Sequence, residues 1–567
     1  MIKHVLLFVL AFAFSAAAFA QVTQLAFPPL RSVGMGAGHI NGLATDAAGH
    51  VFTAQNNNFY DAINPDTSLS LIQKYTANGN LLWACRVFLH DSSSTARSLD
   101  VAADAAGNSY LYGAYSGDSV QLVGGPLLPD SAGNDFFVAK YRSSGALLWV
   151  RPFHASTNTR GGRIVADPAG NFVITGTGIT AGQYAFGNGV SLTINQSPGS
   201  AFNNFIVKFS AGGDALWAEY LFGLLEDVEM SPTGEVFLSG RVSPQTLPLI
   251  VGTTTFPQTH QRLFLVKLNP SGALAWTKTP DTSGGWLHRI TIGADGAIFA
   301  LASQMGGLTI NGISVPSGPL NASQFFVTKF LTTGQLEWAR PFMLDSVNYG
   351  FIPGDITADS SGNILVTLSP QMPISGPAVP YNHEAQLYLC KLDQNGNLIW
   401  NISGGSRYQD HVTELAMGKQ NSCYLAFRTN EIIAPVHNNQ IIFGGLPVTT
   451  INDSIEDWDD SFSRVFKIDL GPDTTLVSLL PNMQETHVQV YPNPNRGKFM
   501  IRLQGVNQGA VLAELRNVLG QIVWQQKIAS ESGIVQREVS ISNLSKGIYY
   551  LQLSVGSEIG VQKVVIE

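Results

Sequence analysis

One motif recurs along this chain and leaves few architectures open to it. An aromatic or aliphatic pair, one further residue, a lysine, an apolar residue, a glycine turn and a strand with tryptophan appear six times in full. The copies are SLIQKYTANGNLLW ending at Trp83, FFVAKYRSSGALLW at Trp149, FIVKFSAGGDALW at Trp217, LFLVKLNPSGALAW at Trp276, FFVTKFLTTGQLEW at Trp338 and LYLCKLDQNGNLIW at Trp400. A seventh, RVFKIDLGPD around Lys467, keeps the lysine without the tryptophan strand. Ahead of each stands a second pattern, an Asp and Gly turn between two apolar strands. It reads DAAGHVFTA from Asp46, DAAGNSYLYGA from Asp104, DPAGNFVITGT from Asp167, SPTGEVFLSGR from Ser231, GADGAIFALAS from Gly293, DSSGNILVTLS from Asp359 and a worn GKQNSCYLAF from Gly418. The first six turn glycines, Gly49, Gly107, Gly170, Gly234, Gly296 and Gly362, fall 58, 63, 64, 62 and 66 residues apart. A period of this length is the mark of a repeat architecture.

Each unit reads as four antiparallel strands, here A to D: A before the Asp turn, B after it, C ending at the lysine and D holding the tryptophan. Asp accepts backbone hydrogen bonds at the first turn position, and Gly takes the positive φ there. Strands such as NFVITGT and FFVAKY are apolar on both alternating faces, so each sheet needs cover on both sides. Sheets stacked around an axis supply it. The expected fold is all-β, a seven-bladed β-propeller of four-stranded blades over 21–470. Because the seventh unit lacks strand D, the N-terminal segment Val22–Leu30 is expected to pair into the last blade and remove an exposed edge. These units resemble the bacterial β-propeller repeats called SBBP, DxxGNxYxTG followed by FVxKxxxxGxxxW, over roughly residues 35–470. That resemblance implies a fold and no particular activity.

After 471–486, a linker by composition, the pattern changes. VYPNPNRGKFMIRL, LAELRNVLGQIVWQQKI, VSISNLSKGIYYLQL and GVQKVVIE alternate as strands between Gly and Asn turns, enough for a small Ig-like β-sandwich over 487–567. Tyr491, Pro492, Asn493, Pro494 and Gly497 open this module, Gly520 sits in its central hairpin, Leu544, Gly547, Tyr549 and Leu551 mark the late strand, and Lys563 lies near the end. These residues resemble the type A sorting domain of the Bacteroidetes type IX secretion system. The resemblance implies secretion across the outer membrane, removal of the tag, and either release or attachment to surface lipopolysaccharide. Its partners would be the type IX secretion machinery and, after tag removal, that lipopolysaccharide; an ordinary Ig-like binding domain is the alternative.

Residues 1–20 carry a basic start at Lys3 and His4, an uncharged run from Val5 to Phe14, and small residues at Ala18 and Ala20. That is the form of a cleavable signal peptide. Net charge is −8, which argues against nucleic acid. The charge is unevenly shared: 487–567 holds eight Lys plus Arg against five Glu, a net of +3, leaving −11 elsewhere. Three cysteines, Cys85, Cys390 and Cys423, lie in strand-like segments without CxxC spacing and read as small buried hydrophobes.

Chemistry is sparse in the pattern. The seven lysines, Lys74, Lys140, Lys208, Lys267, Lys329, Lys391 and Lys467, are read as structural, each bonding a neighbouring blade, rather than as an anion ring. No cofactor is expected. The loop from Asn452 to Ser461 offers Asp453, Glu456, Asp457, Asp459 and Asp460 as calcium ligands, against a plain solvated acidic loop. The long B–C and D–A connections share one face, where recognition is expected. That face carries Asn56, Tyr60, Tyr115, Tyr184, Phe186, Trp286, His288, Tyr349, Tyr408 and His411, a mixture suited to a glycan or protein ligand. No nucleophile, base and stabiliser constellation can be assembled. The expected function is therefore not an enzyme's but that of a secreted or cell-surface binding or adhesion module; a structural surface coat, or a propeller hydrolase or lyase, is the alternative.

Overall fold

The computed structural model describes residues 21–24 and, with gaps, 39–566. The main gaps are 57–68, 90–93, 154–161, 196–201, 243–247, 258–261, 280–284, 305–307, 316–323, 342–350, 371–386, 406–409, 431–438, 452–460, 471–488, 505–509, 518–521 and 530–533. The chain is all-β, and its described residues divide into two compact units, one within 20–472 and one within 473–567.

Among the described residues, seven antiparallel sheets of four or more strands build the larger unit. In order from strand A to strand D, the first four sheets are His39–Thr45, Val51–Asn56, Leu69–Tyr75, Leu81–Leu89; Thr95–Ala103, Ser109–Gly117, Ser131–Tyr141, Leu147–Phe153; Ile164–Ala166, Phe172–Thr177, Asn203–Phe209, Ala215–Phe222; and Leu224–Met230, Val236–Val242, Arg262–Leu268, Leu274–Lys278. The last three are Trp286–Ile292, Ile298–Gln304, Gln324–Phe330, Leu336–Pro341; Phe351–Ala358, Ile364–Pro370, Leu387–Leu392, Leu398–Gly405; and Asp410–Met417, Ser422–Asn430, Ser461–Asp469, with Gln21–Gln24 as the outer strand. In that last pairing Gln21 stands opposite Asp469 and Gln24 opposite Phe466. The rest of the Val22–Leu30 segment lies outside the described residues.

Two-sided burial follows from the period-two alternation of each strand. In the second sheet Tyr110, Tyr112, Phe136 and Val138 enter a core shared with Phe172, Ile174, Phe205 and Val207 of the third. Their neighbours Leu111, Phe137, Ala139 and Tyr141 face the other way, against Phe52, Ile72 and Val87 of the first. Cores of the same kind join the third sheet to the fourth, the fourth to the fifth, the fifth to the sixth, and the seventh back to the first. Each fully buried aromatic or aliphatic side chain contributes roughly 1.5–3 kcal/mol. Strand A of each sheet lies against strand A of the next, and strand A of the seventh lies against that of the first.

The repeated residues tie one sheet to the next. Asp167 shows the turn: its Oδ1 accepts the Asn171 N–H at 2.9 Å, its carbonyl accepts the Gly170 N–H at 2.9 Å, and Gly170 holds φ 87°. The lysine then spans two sheets. Lys74 Nζ is 3.1 Å from Asp46 Oδ2 of its own sheet and donates to the carbonyls of Gly107 and Ser143 in the next; Lys140 reaches Ala211 O and Lys208 reaches Gly234 O. Burial alone would raise the Asp46 carboxyl, but hydrogen bonds from His50 and Lys74 outweigh it and hold it below the usual range. Tryptophan works alike: Trp83, Trp217, Trp276 and Trp338 donate their indole N–H to carbonyls of the following sheet. Between the seventh sheet and the first, Tyr424 Oη donates to Ala77 O at 3.1 Å. The three cysteines are buried.

The B–C connections hold more structure than variable loops. Val120–Leu122, within the B–C connection of the second sheet, pairs with strand D of the first. The hairpin Leu249–Val251 and Thr254–Phe256 extends strand D of the third sheet, and Asn439–Phe443 with Leu446–Ile451 extends that of the sixth. An outer strand left bare presents unpaired backbone groups, and these insertions cover part of them.

The smaller unit has two antiparallel sheets around one core. Gln489–Tyr491, Lys498–Gln504 and Ile534–Ser540 form one; Ile522–Ala529, Ala510–Asn517, Gly547–Val555 and Glu558–Ile566 form the other. Phe499, Ile501, Val511, Leu515, Val539, Leu551 and Val564 fill the space between them.

Candidate functional site

Strand A departs from regular pairing in six of the seven sheets. Its ladder with strand B slips at Ile40/Gly42, Ser98/Asp100, Leu225/Asp227, Leu287/Arg289, Pro353/Ile356 and Val412/Glu414. A bulge re-aims the side chain beside it. Four residues before the turn, the seven strands carry Gly42, Asp100, Arg163, Asp227, Arg289, Asp355 and Glu414. A charged residue inside an otherwise apolar strand, at one fixed offset, is a signal the motif reading above passed over.

The aspartates staple one strand A to the next. Asp100 Oδ2 accepts the N–H of Ile164 at 3.1 Å, Asp227 Oδ2 that of Ile290 at 2.9 Å, and Asp355 Oδ2 that of Leu415 at 2.7 Å. No ladder joins these neighbouring strands, so each carboxylate satisfies a backbone donor that would otherwise be orphaned. At Gly42 a Cβ would stand 2.3 Å from Asp100 Oδ1 and 2.7 Å from the Val101 nitrogen, so only glycine lets the second sheet come this close.

Arg163 is the hub of the cluster. Its Nε lies 3.3 Å from Asp227 Oδ1 and 3.8 Å from Asp100 Oδ2, while its Nη1 bonds Glu414 Oε1 of the seventh sheet at 2.5 Å. Arg289 Nε stands 3.8 Å from Asp355 Oδ1. Burial, opposed by Arg163 and reinforced by Glu414, pushes Asp100 up to about 7. Burial, reinforced by Glu414 and opposed by Arg289 and Arg163, does the same to Asp355. Burial, helped by Asp227, also raises Glu229 well above its ordinary range. Burial disfavours the Arg163 cation, yet the surrounding carboxylates outweigh it and keep the guanidinium charged.

At the loop end of the fourth and fifth sheets the cluster meets aromatic rings. Trp286 and His288, two of the expected ligand-face residues, come together here, with ring centroids 6.0 Å apart. The Arg241 guanidinium lies 4.6 Å over the Trp286 ring and its Nε 3.6 Å from Glu226 Oε1. His288 Nε2 is 2.7 Å from Ser303 Oγ, and its ring stacks on Phe325. Burial, then the charges of Arg289 and Arg241, lower the His288 pKa to about 4, so the imidazole is neutral.

The other expected residues are dispersed. Tyr115, Tyr184 and Phe186 are buried in the cores between sheets rather than presented to solvent; Tyr184 and Phe186 belong to the hairpin Gly182–Gly187 and Val190–Ile194, which folds back onto the barrier between the second and third sheets. Asn56 ends strand B of the first sheet opposite His39, and His411 lies in strand A of the seventh opposite Arg428. Tyr60, Tyr349, Tyr408 and the acidic loop Asp453, Glu456, Asp457, Asp459 and Asp460 lie outside the described residues. Among the described residues, no group of three or more His, Cys, Asp or Glu side chains is arranged to hold a metal ion.

In the smaller unit, the opening motif stitches the entry of the chain to its last strand. Asn493 Oδ1 accepts the Val565 N–H at 2.8 Å, the Asn495 N–H donates to Val565 O at 2.9 Å, and Asn495 Oδ1 accepts the Gly497 N–H at 2.8 Å. Pro492 and Pro494 follow cis peptide bonds. Tyr491 is exposed, Tyr549 is buried in the core, Gly547 opens its strand, and Lys563 stands opposite Tyr550. Gly520 lies outside the described residues.

Residues 489–567 match the family described as the secretion system C-terminal sorting domain. No curated protein matches the chain. Among solved structures, it is similar to a puromycin hydrolase mutant complexed with PGG, at 11% identity and a TM-score of 0.29, covering 71% of this chain and 58% of that one. It is also similar to an ACO/RPE65 chimera, at 10% identity and a TM-score of 0.28, covering 62% and 68%. A third is an ulvan lyase from a new polysaccharide lyase family, at 11% identity and a TM-score of 0.31, covering 76% and 91%. This chain thus spans just over half the length of the first of these. The C-terminal domain is a type IX sorting domain, which directs export across the outer membrane to the cell surface or the extracellular space.

Proposed function

We propose that this chain is an exported binding module, a seven-bladed β-propeller carried outside the cell by its sorting domain and presenting a ligand site at the loop end of its fourth and fifth blades. The propeller reading is supported by the serial cores between neighbouring sheets and by strand A of the seventh sheet lying against that of the first. The pairing of Gln21–Gln24 with the seventh sheet supports closure by the N-terminal strand. Kinship with SBBP repeats and a Bacteroidetes origin belong to the same reading.

One observation carries the binding role. The repeated turn aspartates are engaged within their own turns and the lysines and tryptophans within or between sheets, whereas Arg241, Trp286 and His288 gather at one loop end, with Trp286 and both arginine side chains there only partly buried. Recognition on a rigid repeat scaffold is placed where the copies differ. The test is a binding screen of the full chain against bacterial and host surface glycans and proteins, alongside Trp286→Ala. Binding that weakens in the variant at unchanged unfolding supports the site. Binding that ignores Trp286 moves the site elsewhere, and a chain that captures nothing refutes the module.

A further inference from the structure

Five positions before the turn stand Asn41, Leu99, Gly162, Glu226, His288, Gly354 and Thr413, all but Gly162 at a slip in the A–B ladder. Only the fourth and fifth sheets place an ionisable side chain there, and these two are neighbours. Around them two guanidiniums converge. Arg241 Nε stands 3.6 Å from the Glu226 carboxylate, and Arg289 Nη1 donates to the Glu226 carbonyl at 3.4 Å and the His288 carbonyl at 3.5 Å.

Each cation has a carboxylate nearby, Glu226 for Arg241 and Asp355 for Arg289, but at ion-pair distance only. Neither Arg241 Nε nor Arg289 Nε makes a hydrogen bond. Both Nε atoms are buried, while the side chains as wholes remain 28% and 24% exposed, so any ligand meets other atoms of the two side chains. An arginine fork is most strongly satisfied by a planar or tetrahedral oxyanion taken two donors at a time. Glu226 does not fill that role, since it meets Arg241 at ion-pair distance only. Beside the cations stands the partly buried Trp286 indole, an apolar plate, with the His288 ring, itself bonded to the buried Ser303 hydroxyl, edge-on to it. That combination suits a sugar ring, whose C–H face packs on an aromatic while its hydroxyls find donors and acceptors.

We propose that this loop end binds an anionic saccharide, a uronate- or sulfate-bearing unit, with Arg241 and Arg289 engaging the oxyanion and Trp286 the ring. An acidic peptide fits less well. Extended peptides are captured on a free strand edge, and here the edges of the two A strands face each other and are stapled by the Asp227 bond to the Ile290 N–H. The inference rests on the binding-module reading and specifies its ligand.

The experiment places the full chain on an array of uronate-bearing, sulfated and neutral oligosaccharides together with Asp- and Glu-rich peptides, and follows the best binder by titration calorimetry. Anionic oligosaccharides bind and their neutral counterparts do not. Arg241→Gln and Trp286→Ala each weaken binding about tenfold or more, as hot-spot arginine and tryptophan do, and Arg241→Lys recovers part of the loss because it keeps charge without the fork. Urea unfolding of each variant reports the fold separately. Binding of neutral glycans alone, of acidic peptides instead, or of anionic glycans with unchanged affinity in both variants overturns this ligand or this site while leaving the module standing. A chain that binds no member of the array overturns both.

Discussion

Replacing Arg163 by glutamine tests the logic of the inner cluster most directly. The guanidinium faces Asp100, Asp227 and Glu414, all buried and all within 4.0 Å. Breaking a buried ion pair by removing one partner costs about 3–5 kcal/mol, because the other charge is left without compensation. The cost depends on pH in a definite sense. Asp355 rises from 3.8 to about 7, about three units at about 1.4 kcal/mol each. Its proton therefore holds about 4 kcal/mol of stability, fully present below the unfolded value and lost progressively as the pH climbs to the folded value near 7. Asp100 moves in the same direction, and because both groups lean on Glu414 and Arg163 the two contributions do not add. Asp46, held below the ordinary carboxylate range, loses its contribution only when the pH falls through that lower range, outside the window from 5 to 8; His288, lowered from 6.5 to about 4, works the other way below 6.5 and subtracts part of the gain at pH 5. The wild-type chain should thus resist urea better at pH 5 than at pH 8. Arg163→Gln should lose about 3–5 kcal/mol at pH 8 and under about 2 at pH 5, where protons take the place of the missing cation. Tryptophan fluorescence during urea unfolding reads both, since several indoles lie between sheets. An equal shift of the midpoint at the two pH values, or a wild type that is more stable at pH 8, would refute the reasoning.

Two further substitutions probe the ties between sheets. Trp338 is 7% exposed and donates to Gln394 O at 3.2 Å; Trp338→Ala should cost about 3–5 kcal/mol in urea unfolding, and Trp338→Phe, which keeps much of the packing and drops the bond, should cost clearly less. Lys391 Nζ lies 2.8 Å from Asp359 Oδ2, with both side chains at most 2% exposed; Lys391→Met should lose about 3–5 kcal/mol, and adding Asp359→Asn should restore much of it, whereas a double-mutant cycle with no coupling would mean that the pair is not a unit.

How much of this was legible in the sequence depends on whether a residue repeats its type or only its position. Lysine, tryptophan and the Asp turn recur as identical letters because they do the same job in successive copies: the Asp closes its own turn, as Asp167 and Asp359 do, and Lys74, Lys140 and Lys208 reach Gly107, Ala211 and Gly234 of the next sheet. The inner cluster repeats only its offset. Asp100, Arg163, Asp227, Arg289, Asp355 and Glu414 differ in sign from one sheet to the next, and a search for like residues does not collect them. Trp286 and His288 were legible as residues near a loop end, but their partner Arg241 comes from a different sheet, and the strand carrying it gives no sign of the meeting. Tyr115 and Tyr184 were misplaced for a related reason: aromatic residues near long connections resemble a binding surface until the connection folds back as a hairpin and buries them.

The sign pattern of the cluster has a geometric cause. From the second sheet to the sixth the offset position alternates acid, base, acid, base, acid: Asp100, Arg163, Asp227, Arg289, Asp355. Each aspartate bonds the backbone of the following sheet, and the arginines stand where opposite charge is nearest. Seven positions cannot alternate all the way round, so two neighbours must break the rule. The break falls at the seventh and first sheets, where Glu414 is followed by Gly42. Glycine puts no charge beside Asp100 and no Cβ in its way, and Glu414 draws its cation from Arg163 of the third sheet rather than from a neighbour. Where the count is odd the acid thus takes its cation from a distant sheet, and it is there that the surplus of carboxylates over cations makes protons part of the fold.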